Sequence, residues 1–162
     1  MLAALVASGD LPPVGDRLPT NPLVVSPANG IGEYGGTWFR AFTGPADGQN
    51  MERPLKDHLL FYNTGMTEPQ PNIAESWTVN ADATVFTFKL REGLKWSDGD
   101  DFNTDDIMFW YTHMLLNDDI NPTTPAWAVH GGETLVYEAV DDVTFTVTAA
   151  EPYGIFIPLI AS

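Results

Sequence analysis

Cysteine is absent from the 162 residues. That excludes a disulfide scaffold, a thiolate zinc site, a thiol nucleophile and a cysteine-held iron–sulfur cluster. It leaves the compartment open, because an exported chain need not carry disulfides. Basic side chains are scarce: seven Lys and Arg stand against 22 Asp and Glu, for a formal charge of −15. None lies beyond Lys95, whereas residues 96–162 hold twelve acids. Such a surface repels phosphate backbones and anionic lipid heads, which disfavours nucleic-acid binding and charge-driven membrane attachment. A solubility-driven surface, a cationic partner or a missing basic segment would each account for it. Long apolar runs are missing as well. Stretches such as Ile155–Ala161 fall far below the roughly 20 residues that a spanning helix needs.

What remains is a chain 44% apolar, with 14 Gly and 13 Pro. This suits one folded domain carrying an arm, and not a disordered chain. Residues 1–33 read as that arm. A helical turn or two over Met1–Ser8 ends at Gly9, and then Pro12, Pro13, Pro19, Pro22 and Pro27 force extended or turn geometry. Such an arm has little to bury by itself, so it is expected to lie across a larger body.

Regular patterning begins near residue 34. Thr37–Phe42 is β-rich and follows the flexible Gly35-Gly36 pair, so it reads as a first strand. Leu55–Tyr62 is apolar enough for a buried helix or strand, with helix the preferred reading, and Asn63–Asn72 reads as a loop. Trp77 and Val79, then Phe86, Phe88 and Leu90, alternate as two arms of a hairpin with one buried face. Together with Trp96 these aromatics make a candidate core. Asn103 or Thr104 caps a helix running to about Leu116, with Asp105 and Asp106 at its positive end. Its Ile107, Trp110, Tyr111, Met114 and Leu115 keep the spacing of a buried stripe. After a Pro-broken loop over Asn117–Gly132, Leu135–Val140 and Val143–Val147 form a second hairpin. The apolar Tyr153–Ile160 has no closing polar cap, as expected of a segment cut from a longer protein, and should show an uncovered face. The fold class is therefore α+β, with antiparallel hairpins and one main helix.

Candidate sites are few. Gly30-Ile31-Gly32-Glu33-Tyr34-Gly35 matches the G-x-G-x-x-G string. A dinucleotide site needs a strand before it and a helix after it, and a β-rich run follows instead. A flexible hinge is the better account. Asp98, Asp100, Asp101, Asp105 and Asp106 suggest calcium, but aligning them to a calcium loop puts Asp106 where Gly is needed and Thr112 where Glu belongs. Turn chemistry and helix capping explain them without a metal. His58, His113 and His130 have no metal or triad spacing. His130-Gly131-Gly132 is similar to an esterase oxyanion loop, yet no G-x-S-x-G elbow exists. No catalytic residue, metal ligand or cofactor site is expected.

Three runs carry a resemblance: Pro71-Asn72-Ile73-Ala74-Glu75-Ser76-Trp77, then Phe86-Thr87-Phe88-Lys89-Leu90-Arg91-Glu92-Gly93-Leu94-Lys95-Trp96-Ser97-Asp98-Gly99, then Phe102-Asn103-Thr104-Asp105-Asp106-Ile107. In order and spacing they resemble the family 5 extracellular solute-binding proteins of bacterial ABC importers, which bind oligopeptides, dipeptides or nickel. Val140–Val147 and Glu151-Pro152-Tyr153 are similar to that family's next hairpin. The sequence departs at Asp101-Phe102-Asn103, where Pro and Thr are usual.

The resemblance implies a partial lobe of a type II periplasmic-binding-protein-like fold. Residues 34–50 would be a first strand and cleft loop, and 51–162 a hairpin–helix–hairpin subdomain. It implies no chemistry but capture of a ligand, with oligopeptide leading and oligosaccharide second. The partners implied are an ABC permease and a second lobe formed by the remainder of the same chain. The setting implied is periplasmic or extracellular, with a lipoprotein anchor. A stand-alone interaction module is the rival. By position the resemblance points to Thr43, Gly44 and Asp47 as ligand contacts, although Thr43 and Asp47 read first as ordinary turn residues. Trp127 reads equally as a loop anchor or as an aromatic wall for the ligand.

Overall fold

The structure is a computed structural model; it describes residues 2–27, 29–33, 35–44, 47 and 56–161. Helix α1 spans Leu2–Ser8 and stops at Gly9, whose φ of +80° needs no Cβ. The arm then runs through a 3-10 turn at Val14–Arg17 and continues without helix or strand through Pro27.

The centre is an antiparallel four-stranded sheet. Its strands are β3 (Ala74–Val79), β4 (Val85–Leu90), β7 (Val136–Ala139) and β8 (Thr144–Thr148), in the order β3-β4-β8-β7. Both hairpins read from alternation are present. In β4, flanked on both sides, Phe86, Phe88 and Leu90 point to one face and are fully buried. Phe88 lies opposite Phe145 of β8, and their rings stack at 5.2 Å. A short C-terminal helix, α3 (Phe156–Ile160), closes over this face, with Phe156 4.8 Å from Phe86. Tyr153, Phe156 and Ile157 are buried there, so part of the segment expected to be uncovered belongs to this molecule's own core. Ile155 and Leu159 alone among its large side chains stay exposed.

Helix α2 (Thr104–Trp110) begins where Asn103 and Asp106 make a capping box. Asn103 Oδ1 accepts from the Asp105 amide at 2.8 Å, and Asp106 Oδ2 from the Asn103 amide at 3.0 Å. Thr104 Oγ1 donates to Asp141 O at 2.7 Å, which pins the helix start to the β7–β8 turn. The helix widens into a π turn over Tyr111–Leu115 and ends at Leu116. Met114 faces solvent, so the buried stripe passes through Leu115 instead.

Three expectations fail. Leu60–Tyr62 is a strand, β1, not a helix; it pairs with β2 (Pro69–Pro71), inside the segment read as a loop. Proline is tolerated there because, among the described residues, no third strand pairs with β2 to need its missing N–H. Leu55, where the expected helix begins, lies outside the described residues. Thr37–Phe42 is not a strand: among the described residues none pairs with it, and Trp38 and Phe39 are among the most exposed side chains. A strand without a ladder leaves its peptide groups to water. Trp96, finally, is about half exposed and edges onto Phe102 at 5.0 Å, instead of anchoring the core.

Candidate functional site

The sheet, α2 and α3 leave between them a groove of about 930 Å3. Its walls are aromatic: Trp96, Trp110 and Trp127 line it above Tyr137 and Phe145, and Leu159 and Ile160 face them. Lys56, Asp57 and His58 supply its polar lining on the approach to β1.

Trp127 stands on a 3-10 turn, Ala126–Ala128, whose backbone is tied on two sides. Tyr153 Oη donates to Trp127 O at 3.2 Å, and the Leu135 amide to Ala128 O at 2.8 Å. Tyr153 is itself held under the His130 ring, parallel at 3.9 Å, while His130 Nε2 lies 2.9 Å from Pro152 O. His130 is carried by a ribbon of β5 (Val129–His130) and β6 (Glu133–Thr134). Gly131 and Gly132 turn that ribbon with φ of +66° and +82°, as a tight hairpin requires. The His-Gly-Gly run is therefore a hairpin turn and not an oxyanion loop. The Trp127 indole, about one-third exposed, lies parallel to Trp110 at 6.2 Å. Trp127 thus combines an anchored backbone with a ring that lines the groove.

Tyr137 fixes the floor. Its ring meets Trp110 edge-on at 5.7 Å and Tyr111 at 5.0 Å. Burial, with the Tyr111 phenol beside it, pushes its hydroxyl well above the ordinary tyrosine value, so it stays neutral.

Thr43, Gly44 and Asp47 form a small turn. The Thr43 amide donates to Asp47 Oδ2 at 3.2 Å and the Asp47 amide to Gly44 O at 2.9 Å. Pro45 and Ala46 of the same loop lie outside the described residues. The groove includes Trp127 and none of these three, so the structure does not join the candidate residues in one lining. Trp110 was legible only as a helix-stripe residue; its pairing with Trp127 is a tertiary fact.

The acidic stretch is occupied by local bonds. Asp98 accepts from the Asp100 amide at 3.1 Å, Asp101 pairs with Lys95 at 2.6 Å, and Asp106 Oδ1 accepts from the Trp96 indole at 3.2 Å. Among the described residues, no three acid or histidine side chains converge as metal ligands.

The sequence profile described as bacterial extracellular solute-binding proteins, family 5 Middle, matches residues 68–162. The chain belongs to this family. The periplasmic alpha-galactoside-binding protein of Rhizobium meliloti (strain 1021) is 32% identical over 91% of the chain. A solved oligopeptide-binding protein OppA superposes on 99% of the chain with a TM-score of 0.90 and 40% identity. The periplasmic binding protein MelB of Agrobacterium fabrum C58, solved with stachyose, covers 99% at a TM-score of 0.71 and 26% identity. The fold is accordingly part of the periplasmic-binding-protein-like architecture. This family 5 chain spans about a quarter of the length of these relatives: 24%, 25% and 27%.

Proposed function

We propose that this chain is part of the substrate-binding component of an ABC importer, capturing oligopeptides outside the cytoplasmic membrane and delivering them to the permease. The observation that carries this is the superposition on an oligopeptide-binding protein over nearly the whole chain, at 40% identity. In this proposal residues 1–33 are an arm and 34–162 are lobe material, and the remaining wall of the cleft comes from a second lobe. A lipoprotein anchor holds the receptor at the membrane. The protein performs no covalent chemistry; lobes close about a hinge and seal the ligand from water. Thr43 and Gly44 offer backbone groups to the ligand, Asp47 braces their turn, and Trp127 supplies an apolar wall.

A second ligand class is favoured by a specific observation. Parallel indoles at Trp110 and Trp127 suit the apolar face of a pyranose as well as a peptide side chain. Two of the three relatives above bind α-galactosides or stachyose by name. Calorimetry on the two-lobed receptor containing this segment separates the classes. Mixed tri- to pentapeptides should give heat at micromolar concentration and stachyose none. The reverse result would replace peptide by sugar, and silence with both would remove the proposal.

A further inference from the structure

Four hydrogen bonds converge where the arm crosses the end of β4. The Thr20 amide donates to Glu92 O at 2.8 Å. Asn21 Nδ2 donates to Glu75 Oε1 at 2.8 Å, and Glu75 also pairs with Lys89 at 3.4 Å. Arg91 does the bridging: its Nη1 donates to Asn21 O and its Nε to Asn72 O, both at 2.7 Å. At 7% exposure, Arg91 is the one cation among the described residues in the buried class. The two carbonyls it joins lie 70 and 19 residues away along the chain, on different elements. A planar, weakly hydrated guanidinium suits that task better than an ammonium, because its forked donors satisfy two fixed acceptors at once.

Among the described residues, these are the side-chain and backbone bonds that tie this stretch of the arm to the sheet. No described arm residue belongs to the buried core cluster, and Val24 and Val25 are largely exposed. Beyond the contact, Leu23–Ser26 forms one wall of a second cavity of about 620 Å3, and Phe61 and Gln70 on the β1–β2 ribbon form the other. Arg91 and Glu75 sit in its lining. The contact at Thr20–Asn21 is thus the point at which this wall is fastened.

We infer that Arg91 is the latch of a strap: it holds residues 20–26 against the sheet as a separable wall of this cavity, and its loss frees the strap without loosening the sheet. The inference does not depend on which ligand the protein takes. The sheet can outlast the strap because Phe86, Phe88, Phe145 and Phe156 pack without the arm. An opening confined to one segment is a sub-global event, with its own exchange rate.

Amide hydrogen exchange on this chain distinguishes a latch from a general fold stabiliser. Three amides serve as reporters: Thr20 for the strap, Ala149 (bonded to Thr84 O at 2.8 Å) and Leu135 for the body. In Arg91→Met, Thr20 should exchange about tenfold faster or more, with Ala149 and Leu135 nearly unchanged. Arg91→Lys should fall between, since one ammonium cannot reproduce the fork. Should Arg91→Met not fold, Asn21→Ala, which removes only the exposed bond to Glu75, should still accelerate Thr20 by a few-fold, alone. An unmoved Thr20, or all three amides accelerating by one common factor, would overturn the inference.

Discussion

At the scale of single residues, burial decides what a tryptophan or phenylalanine is worth, and sequence spacing reports it only in part. Phe88 is fully buried against Phe145, so Phe88→Ala should cost about 3–5 kcal/mol. Trp96 is about half exposed, with its indole N–H on Asp106, and Trp96→Ala should cost no more than about 1–1.5 kcal/mol. Urea melts of both variants check the ordering; a Trp96→Ala midpoint falling as far as that of Phe88→Ala would restore the core reading. Phe86 and Phe88 were legible because alternation fixes a face. Trp96 was not, because it sits between turns, where no periodicity says which side is covered. Two carboxylates give a pH signature. Asp141 is held below its ordinary value chiefly by the Val143 amide, and Glu75 chiefly by the Asn21 side chain and then Lys89. A carboxyl depressed by folding stabilises fully above its unfolded pKa of about 4, and that contribution fades as pH falls through the lower folded value. The melting temperature should therefore drop below about pH 4, and less steeply in Asp141→Asn. A parallel drop in both proteins, measured by circular dichroism, would show that Asp141 contributes nothing.

Elements were legible where their determinants are local. The start of α2 is written in Asn103 and Asp106, three residues apart, and both bonds of the box form. Replacing Asn103 by Ala should cost about 1 kcal/mol, read as a lowered urea midpoint with an unchanged slope. No change would mean that Thr104, bound to Asp141 O, suffices to start the helix. The hairpins were equally readable, since period two and a turn pair specify them. The failures among the elements lie where a strand depends on a partner elsewhere in the chain. Leu60–Tyr62 becomes β1 because Pro69–Pro71 lies alongside it, and a proline-flanked glutamine does not announce a strand. Thr37–Phe42 shows the converse: β-propensity is present, no described residue pairs with it as a strand, and the Arg40 guanidinium lies 4.9 Å from the Trp38 ring centroid. The candidate site divides in the same way. The Thr43–Asp47 turn follows from local chemistry, whereas the Trp110–Trp127 stack joins residues 17 apart and needs the π turn and the β5–β6 ribbon to bring them together.

At the scale of the whole molecule, the deciding fact is that the chain spans about a quarter of its relatives' length while possessing a closed core of its own. A core that packs without the rest predicts cooperative folding of this segment, and the burial of Tyr153, Phe156 and Ile157 reduces the apolar face expected at its end to Ile155 and Leu159. Folding and binding therefore part company. Immobilising a ligand costs the same translational and rotational freedom whether one wall or two receive it, so halving the enclosing surface removes favourable contacts and leaves the cost intact. In the proposed receptor the groove wall at Trp127 and the turn at Thr43–Asp47 supply one side only. Calorimetry on this 162-residue chain should then show dissociation constants no better than about millimolar for tri- to pentapeptides or stachyose, against micromolar or tighter for the two-lobed receptor. Trp127→Ala should weaken the receptor about tenfold or more if its ring packs on the ligand, and leave it unchanged if Trp127 only anchors its loop. Micromolar binding by this chain alone would show that the groove is a complete site, and would replace the receptor-lobe proposal with a stand-alone binding module.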